Sequence, residues 1–328
     1  IKEIEQTRTS LDFLIDGVVI KVEQTYIRDE LGYTSKFPKW AIAYKFEADQ
    51  AVTLLKEVVW QVGRTGKLTP IGVMEPVELC GATIRRATLN NYGDITRKDL
   101  KTGSRVIIRR SNDVIPEVLS VVEHTKDSRD IPVPSVCPAC GSKLEEFGAN
   151  LFCVNSLHCE PQIVNKTVHF CSKNACDIDG ISLKTAEALY KVLGVNNVAM
   201  LYDLTAEDLL KLDKFKDKKV GNVLESIEKS KKVSLDRLIF ALGIDNVGQK
   251  TARDLAAKYG SIDKLASATA DELTAMPDIG PIVAESILEY FANNDNRVII
   301  ERLKNKGVNP VYVAASGKFK GKNVVLTG

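Results

Sequence analysis

The chain has 328 residues, of which 44% are hydrophobic and 27% are charged, and its formal net charge is +2. These values are ordinary for a globular protein, and the length predicts two or three domains or a larger number of small ones. No apolar run approaches the ~18 residues of a membrane-spanning helix, so the sequence predicts no membrane partner. A nearly balanced charge neither demands nor excludes a nucleic-acid partner, which means that any basic surface must be local.

Two apolar runs near the start of the chain each carry a lysine. FLIDGVVIKVE, residues 13–23, alternates with a period of two and predicts a strand that is covered on both faces. WAIAYKFEA, residues 40–48, places Lys45 on the same face as two alanines, which leave room for a ligand. Lys21 alone would be interpreted as a side chain that reaches water at the edge of a sheet. Two such strands favour another interpretation, in which both ammonium groups meet one phosphate-bearing ligand.

The next segment, residues 49–123, consists of five short β-like runs separated by Gly and Pro. This spacing predicts a small closed barrel such as an OB-fold, followed by a linker over residues 124–136. VGRTGKLTP, residues 62–70, and VIIRRSNDVIPEV, residues 106–118, place arginines near turns. Arginines on a small barrel commonly follow a phosphate backbone, but surface salt bridges explain them equally well.

Four of the seven cysteines lie in CPACGSKLEEFGANLFCVNSLHC. Cys137 and Cys140 have C-x2-C spacing, and Cys153 and Cys159 follow with C-x5-C spacing. Two such pairs predict a tetrahedral Zn²⁺ site of four thiolates, with His158 as a competing ligand. Four protein ligands leave no open position, so the site is expected to be structural. The other three cysteines are interpreted as small hydrophobic residues, and the whole pattern favours a reducing cytoplasm.

From about residue 161 to residue 308 the pattern becomes helical and contains four candidate helix-hairpin-helix units. They cover residues 178–189, 212–232, 241–260 and 276–291. In the last two units, Gly248 and Gly280 would let a DNA phosphate approach the peptide N–H groups at a helix start. The first unit has Ser182 in that place and the second has lysines, so we expect the third and fourth units to contact phosphates more closely.

These motifs, in this order, resemble the bacterial NAD-dependent DNA ligase over nearly the whole chain. IDGVVIK and PKWAIAYKF are similar to two of the family's nucleotidyltransferase motifs, and VGRTG, LTP, ATLNN and DVIP are similar to its OB domain. CPACG with CVNSLHCEPQ resembles its zinc finger, and GKFKGKNVVLTG resembles the first strand of its BRCT domain. The resemblance implies a multidomain α+β fold. Its parts would be the end of the adenylation domain (1–48), an OB-fold (49–123), a small four-cysteine zinc finger (124–165), a tandem helix-hairpin-helix domain (166–312) and a truncated start of a BRCT domain (313–328).

The resemblance also implies an activity. The family joins a 5′-phosphate to a 3′-hydroxyl at nicks in duplex DNA during replication and repair, with NAD⁺ as the donor of AMP. By resemblance, Lys21 and Lys45 are catalytic and, with Asp16 and Gly17, bind the adenylate phosphate. The implied DNA contacts are Arg64, Thr65, Arg110, Val114, Ile115, Gly248 and Gly280. The implied metals are structural Zn²⁺ and catalytic Mg²⁺ or Mn²⁺. A monomer in the bacterial cytoplasm, associated with the nucleoid, is expected.

The sequence departs from the family pattern in several places. Asn90 stands where the family usually shows histidine, Ser111 and Asn112 stand where it shows Ala-Gly, and the hairpins DGIS and DKFKDKK lose glycines. The family's nucleophilic lysine lies in a K-x-D-G motif that this sequence does not contain. We therefore expect a fragment cut at both ends that does not carry out the first step of the reaction alone.

Two other functions fit parts of the sequence. A non-enzymatic DNA-binding protein could combine OB, zinc and hairpin modules, as in a repair scaffold. The two strand lysines argue against it, because a pure binding module has no use for them in a cleft. An RNA-processing zinc protein fits less well, because tandem hairpins favour double-stranded DNA.

Overall fold

The computed structural model describes residues 1–7, 10–13, 15, 17–34, 37–46, 49–110 and 116–313. The chain forms two compact units. The first contains Ile1–Gln61, Leu68–Pro134 and Glu146–Leu151. The second contains Val62–Lys67, Ser135–Glu145 and the described chain from Phe152 to Val313.

Strands dominate the first part of the chain and helices the second. The strands are β1 Gly17–Lys21, β2 Ala41–Lys45, β3 Gln50–Val62, β4 Leu68–Leu79, β5 Ala82–Thr88, β6 Lys101–Arg109, β7 Glu117–Asp130, β8 Leu144–Phe147 and β9 Asn150–Cys153. The helices are α1 Lys2–Thr7, α2 Thr25–Leu31, α3 Tyr92–Arg97, α4 Glu160–Cys171, α5 Leu183–Leu193, α6 Ala206–Leu210, α7 Asp217–Ser230, α8 Leu235–Ala241, α9 Gln249–Tyr259, α10 Ile262–Ala266, α11 Ala270–Thr274, α12 Pro281–Ala292 and α13 Asn294–Asn305. A 3₁₀ helix spans Val198–Asp203.

Strands β1 and β2 form an antiparallel pair in which Gly17 lies opposite Lys45 and Lys21 lies opposite Ala41. The sequence predicted that this sheet is covered on both faces, and that prediction is wrong for the described residues. Val19 is 59% exposed on one face and Ile42 is 66% exposed on the other. Within the described segments, these two strands pair only with each other, and these apolar side chains on both faces remain exposed.

The five predicted barrel strands close in the order β3-β4-β5-β7-β6. Their inward-facing residues alternate along each strand and meet in one core, which includes Leu55, Met74, Leu89 and Ile108. These side chains are at most 2% exposed. The OB-fold predicted from spacing is confirmed, because alternation and turn residues already specify both the strands and their inner faces.

The prediction of a linker over residues 124–136 is wrong for its first half, because β7 continues to Asp130. The residues of this extension are mostly polar, so the sequence shows no alternation there. Pairing with β6 defines them as a strand instead, with Lys101 opposite Asp130 and Thr102 opposite Arg129.

Two adjacent apolar cores organise the helices of the second unit. The first surrounds Phe170 and Leu189, and the second surrounds Ile239 and Leu255. All four side chains are fully buried. Helix α7, for example, buries Val220, Val223 and Ile227 at three- and four-residue spacing, which gives it one buried stripe. Across the described residues, no helix has the length and apolar character needed to cross a membrane.

Candidate metal centre and nucleic-acid interface

Four cysteines from three local structures converge in the second unit. Cys137 and Cys140 flank a tight turn, Cys153 ends β9, and Cys159 is the N-cap of α4. Their sulfur atoms all lie within 4.8 Å of one another. The Sγ atoms of Cys137 and Cys159 are 3.9 Å apart, and those of Cys140 and Cys153 are 3.5 Å apart. A tetrahedral ion with Zn–S bonds of about 2.3 Å separates its sulfur ligands by about 3.8 Å, so the four thiols fit Zn²⁺.

The turn between the first two cysteines explains their spacing. The N–H of Gly141 donates to the carbonyl of Cys137 at 2.9 Å, and the N–H of Cys137 donates to the carbonyl of Ser142 at 2.7 Å. Gly141 has φ +74°, a left-handed conformation that glycine adopts without steric cost. His158, the competing ligand considered above, is exposed and lies outside the group of four.

The thiols differ in how readily they ionise. Burial opposes ionisation of Cys140, but hydrogen bonds with Ser142 and the neighbouring thiols hold its pKa at about 6. Burial raises the pKa of Cys153 to about 11 and raises the pKa of Cys159 further. One thiol of the cluster therefore ionises readily, whereas two resist ionisation. Because a metal ion binds thiolates, these thiols release their protons when a cation binds.

Polar residues around the cluster support this chemistry, and sequence reasoning did not identify them. The Asn155 side-chain amide donates to the Ser142 hydroxyl at 2.9 Å and lies 3.7 Å from the Cys140 sulfur. Lys166 donates to the carbonyl of Ser156 at 3.2 Å. Burial lowers the pKa of this lysine, while Asp245 and Cys159 attract its charge. The sequence signal that could have identified Asn155 is its position, two residues after Cys153.

The four predicted hairpins share one backbone geometry. In each, a residue with positive φ precedes a buried apolar residue, and the N-cap of the next helix follows. The residues with positive φ are Gly180, Lys214, Asn246 and Asp278. The buried residues are Ile181, Phe215, Val247 and Ile279. The N-caps are Ser182, Lys216, Gly248 and Gly280. The second hairpin therefore keeps this geometry without a glycine in its turn.

The helix starts differ in what satisfies their N–H groups. The Ser182 hydroxyl accepts a hydrogen bond from the N–H of Thr185. Gly248 and Gly280 offer no such acceptor, and nothing lies within 4 Å of a Cβ atom built at either position. Their φ values of −85° and −84° are accessible to any residue. Glycine at these two positions therefore lets an anion reach the N–H groups of the first helical turn. Fewer are available at α12, because Pro281 has no N–H and the N–H of Val283 donates to the carbonyl of Gly280.

The third and fourth hairpins are also tied to each other. Lys250 forms an ion pair with Asp278. The Asn246 side-chain amide donates to the Ser286 hydroxyl at 2.9 Å. These contacts hold the starts of α9 and α12 in one arrangement.

The two strand lysines lie on one face of the β1–β2 pair. Opposite residues of an antiparallel pair share a face, so Lys21, Ala41, Ala43, Gly17 and Lys45 lie together. The δ carbon of Lys45 lies 3.2 Å from the position of a Cβ atom built at residue 17, so glycine makes room for the lysine stem. Both lysines are exposed. Asp16, assigned to the same motif, lies outside the described residues.

The predicted barrel contacts are placed only in part. Thr65 is exposed, and Arg110 is half-buried at the end of β6. Arg64 is half-buried and donates from Nη1 to the carbonyl of Gly243 at 2.7 Å, so a phosphate there would have to share or replace this contact. Val114 and Ile115 lie outside the described residues.

Comparisons with known proteins match successive parts of the chain. A model of the NAD-dependent DNA ligase adenylation domain matches residues 1–49, and a model of the NAD-dependent DNA ligase OB-fold domain matches residues 52–130. A SAM-like helix-hairpin-helix tandem model matches residues 173–229, and a helix-hairpin-helix motif model matches residues 237–300.

Curated relatives align with the whole chain. A DNA ligase of Alkaliphilus metalliredigens is 51% identical over 334 residues, and one of Alkaliphilus oremlandii is 51% identical over 332 residues. DNA ligase 2 of Clostridium acetobutylicum is 49% identical over 332 residues. Each alignment covers 100% of this chain and 50% of the relative, so the chain spans about half the length of these proteins.

A closed OB barrel, a four-thiol cluster and tandem helix-hairpin-helix units define a modular, multidomain protein. Two of the matched models are specific to one enzyme family, and the relatives carry that enzyme's name. The resemblance to the NAD-dependent DNA ligase family inferred from the sequence is confirmed over the parts that these models and relatives match.

Proposed function

We propose that this chain serves the sealing of nicks in duplex DNA by an NAD-dependent ligase. The main support for this proposal is the order of the parts along the chain. Ligase-specific matches at residues 1–49 and 52–130 are followed by the thiol cluster and the hairpins. By family, AMP comes from NAD⁺, passes to the 5′-phosphate of the nick and leaves when the 3′-hydroxyl attacks. In this role the protein would act in DNA replication and repair, as a monomer in the cytoplasm that associates with the nucleoid.

The strand lysines would bind the adenylate phosphate. Lys21 and Lys45 lie on one face of β1–β2, with Val19 and Ala43 between them. Two ammonium groups there would neutralise negative charge that develops at phosphorus, which is the main demand of phosphoryl and nucleotidyl transfer. Gly17 would act by letting β2 approach, because a Cβ atom at residue 17 would collide with the carbonyl oxygen of Tyr44 and crowd the Lys45 stem. Asp16 is assigned to the same phosphate site by its motif.

The hairpins and the barrel would hold the DNA backbone. The open helix starts at Gly248 and Gly280 offer N–H groups to phosphates without reading bases, as a ligase that seals any sequence requires. Thr65 and Arg110 would contact the backbone from the barrel, together with Arg64, Val114 and Ile115.

Two metals enter this proposal in different ways. Cys137, Cys140, Cys153 and Cys159 would hold a structural Zn²⁺. Mg²⁺ or Mn²⁺ is inferred from the family. In the described segments, the four cysteines are the only group of three or more His, Cys, Asp or Glu residues placed to hold a metal ion. Mg²⁺ at phosphate sites usually keeps several waters and takes only one or two protein carboxylates.

A chimeric enzyme tests the proposed function. The matched half of the Alkaliphilus metalliredigens DNA ligase is replaced by this chain, and sealing of a labelled nicked duplex is measured with NAD⁺ and Mg²⁺. The chimera should seal nicks. Lys21→Ala and Lys45→Ala should each reduce sealing by about 100-fold or more, because transition-state charge loses its partner, while nick binding changes less than about twofold.

Lys2→Ala is the control, because Lys2 is another exposed lysine of the same segment. Equal loss of binding and sealing in the strand-lysine variants would contradict their assigned role. A folded chain that does not bind nicked DNA would contradict the proposed function as a whole. Binding without sealing by the chimera would favour the non-enzymatic DNA-binding module.

A further inference from the structure

The turn between β3 and β4 contacts the segment of the four-cysteine cluster that carries Cys153. Its residues, Val62–Lys67, are part of the second compact unit, whereas the body of both strands is part of the first. Within the turn, the N–H of Gly63 donates to the carbonyl of Lys67 at 2.9 Å, and the N–H of Gly66 donates to the carbonyl of Gly63 at 3.0 Å. These two bonds give the turn a defined shape of its own.

This turn contacts the backbone of one proposed zinc ligand. The N–H of Cys153 donates to the carbonyl of Gly66 at 2.9 Å. The preceding residue, Phe152, forms an isolated β-bridge with Lys67. A Cβ atom at Gly66 would collide with the carbonyl oxygen of Cys153, and φ at this glycine is +81°. Only glycine therefore allows the turn to lie this close to the ligand.

The other side of Cys153 is held by a buried glutamine. Gln162 is 1% exposed, and its side-chain amide donates to the Cys153 carbonyl at 2.8 Å. Gln162 lies in the first turn of α4, the helix whose N-cap is Cys159. One peptide segment is thus fixed at its N–H by the turn and at its carbonyl by the helix that carries another ligand.

A second anchor holds the same turn. Arg64 donates to the carbonyl of Gly243, the residue that follows α8 and its C-cap. The ring of His169 lies beside this contact, with its Nε2 atom 2.8 Å from the carbonyl of Phe240. The turn is therefore fixed at Arg64 to the helices and at Gly66 to the thiol cluster.

We propose that the Val62–Lys67 turn is an integral part of the zinc site, with Gly66 and Gln162 as positioning residues for Cys153. The proposal rests on the zinc assignment made above. It predicts that zinc affinity depends on a glycine that precedes all four cysteines in the sequence. By linkage, bound zinc must stabilise the docked turn by the same factor that the docked turn adds to zinc affinity.

Zinc affinity of the full chain is the first test, measured by competition with a chromogenic chelator. Gly66→Ala and Gln162→Leu should each weaken binding by about 10- to 100-fold, as loss of outer-shell support does at other metal sites. Co²⁺ in place of zinc should show altered absorption bands in both variants. Gly81→Ala is the matched control, because Gly81 has φ +69° in another β-turn with nothing within 4 Å of its Cβ position.

Zinc affinity unchanged in both variants would overturn the inference while leaving the zinc assignment intact. A wild-type chain that binds no zinc would refute the zinc assignment itself, so the two failures are distinguishable. An equal loss in Gly81→Ala would also overturn the inference, since it would trace the effect to backbone strain alone.

Trypsin cleavage of the wild-type chain provides a test that needs no folded variant. Removal of zinc should accelerate cleavage after Arg64 and Lys67 by about 10-fold or more, because the docked turn is released. Cleavage after Lys232, in an exposed turn of the same unit, should not change. Equal rates after Arg64 with and without zinc would overturn the proposal.

Discussion

Replacing Gly248 by aspartate should make the protein more stable and its DNA binding weaker. Position 248 is the N-cap of α9 and has open space around its Cβ position, so the new side chain fits without strain. The carboxylate can accept hydrogen bonds from the first-turn N–H groups, which glycine leaves unpaired. Capping and the loss of glycine flexibility together should add about 0.5–1 kcal/mol to the free energy of unfolding.

The same carboxylate occupies the place proposed for a DNA phosphate. One phosphate contact is lost and a like charge is added, which should cost about 1–2 kcal/mol of binding free energy, or about 5- to 30-fold in Kd. The slope of log Kd against log salt should fall by about 0.9. Gly280→Asp should shift both quantities in the same direction but less strongly, because Pro281 at the start of α12 has no N–H to offer.

Fluorescence anisotropy with a labelled nicked duplex at several salt concentrations measures both quantities, and thermal unfolding measures stability. Ser182→Asp is the control, because Ser182 already caps its helix and leaves no comparable opening. Its Kd should change by less than about twofold. Higher stability with unchanged Kd and salt slope in both glycine variants would refute the phosphate contact at these helix starts.

Three further predictions concern stability and metal content. Hydrogen bonds from Arg97 and Asn90 hold the pKa of Asp94 at about 2 instead of 3.8, so its carboxylate stabilises the fold above pH ~4 and this stabilisation is lost as the pH falls through 2. Asp94→Asn should lower the free energy of unfolding at pH 7 by about 1–2 kcal/mol and flatten its decline between pH 4 and 2. Cys137→Ser should reduce the zinc content measured by metal analysis from about one ion per chain to well below one. Phe170→Ala should cost about 3–5 kcal/mol in urea unfolding, because Phe170 is fully buried.

Each of these predictions has a contradicting outcome. An Asp94→Asn variant with the wild-type acid profile would show that this carboxylate contributes nothing to stability. A full zinc ion in Cys137→Ser would refute the ligand assignment. A Phe170→Ala variant with an unchanged urea midpoint would show that the first helical core does not depend on that ring.

Local patterns predicted the elements of the fold that repeat a simple period. The barrel strands were found because their inner residues alternate, as Leu55 and Met74 illustrate. Helix α3, which follows β5, was not predicted. Its six residues are too few to show a period, and its start depends on Asn91, whose side chain caps the N–H of Asp94.

The hairpins were predictable for a different reason. A buried apolar residue between a turn and a helix start recurs four times, and Phe215 continues this pattern where glycine is lost. Lys214 adopts the left-handed conformation that Gly180 adopts in the first unit, so tertiary packing overrides the preference of a single residue. The missing glycines weakened the prediction without changing the fold.

Contacts between distant residues could not be predicted from one sequence. Ser104, His124 and Asp99 form a line of hydrogen bonds, with 2.8 Å from the serine oxygen to Nδ1 and 2.9 Å from Nε2 to the carboxylate. Ser104 is fully buried, so this line ties β6 to β7 and has no access to a substrate. The contact of Gly66 with Cys153 is of the same kind, since neither residue carries a signal that points to the other.

The packing of the Lys45 stem over Gly17 affects how the effects of substitutions in this chain are interpreted. A saturation scan of the segment will score position 17 as intolerant to every replacement, alanine included, because any Cβ atom there collides with the carbonyl of Tyr44 and crowds Lys45. Such a profile is usually taken as the mark of a reactive side chain. Here it would belong to a residue that contributes only empty volume, and the chemistry it protects would be carried by the amine across the strand.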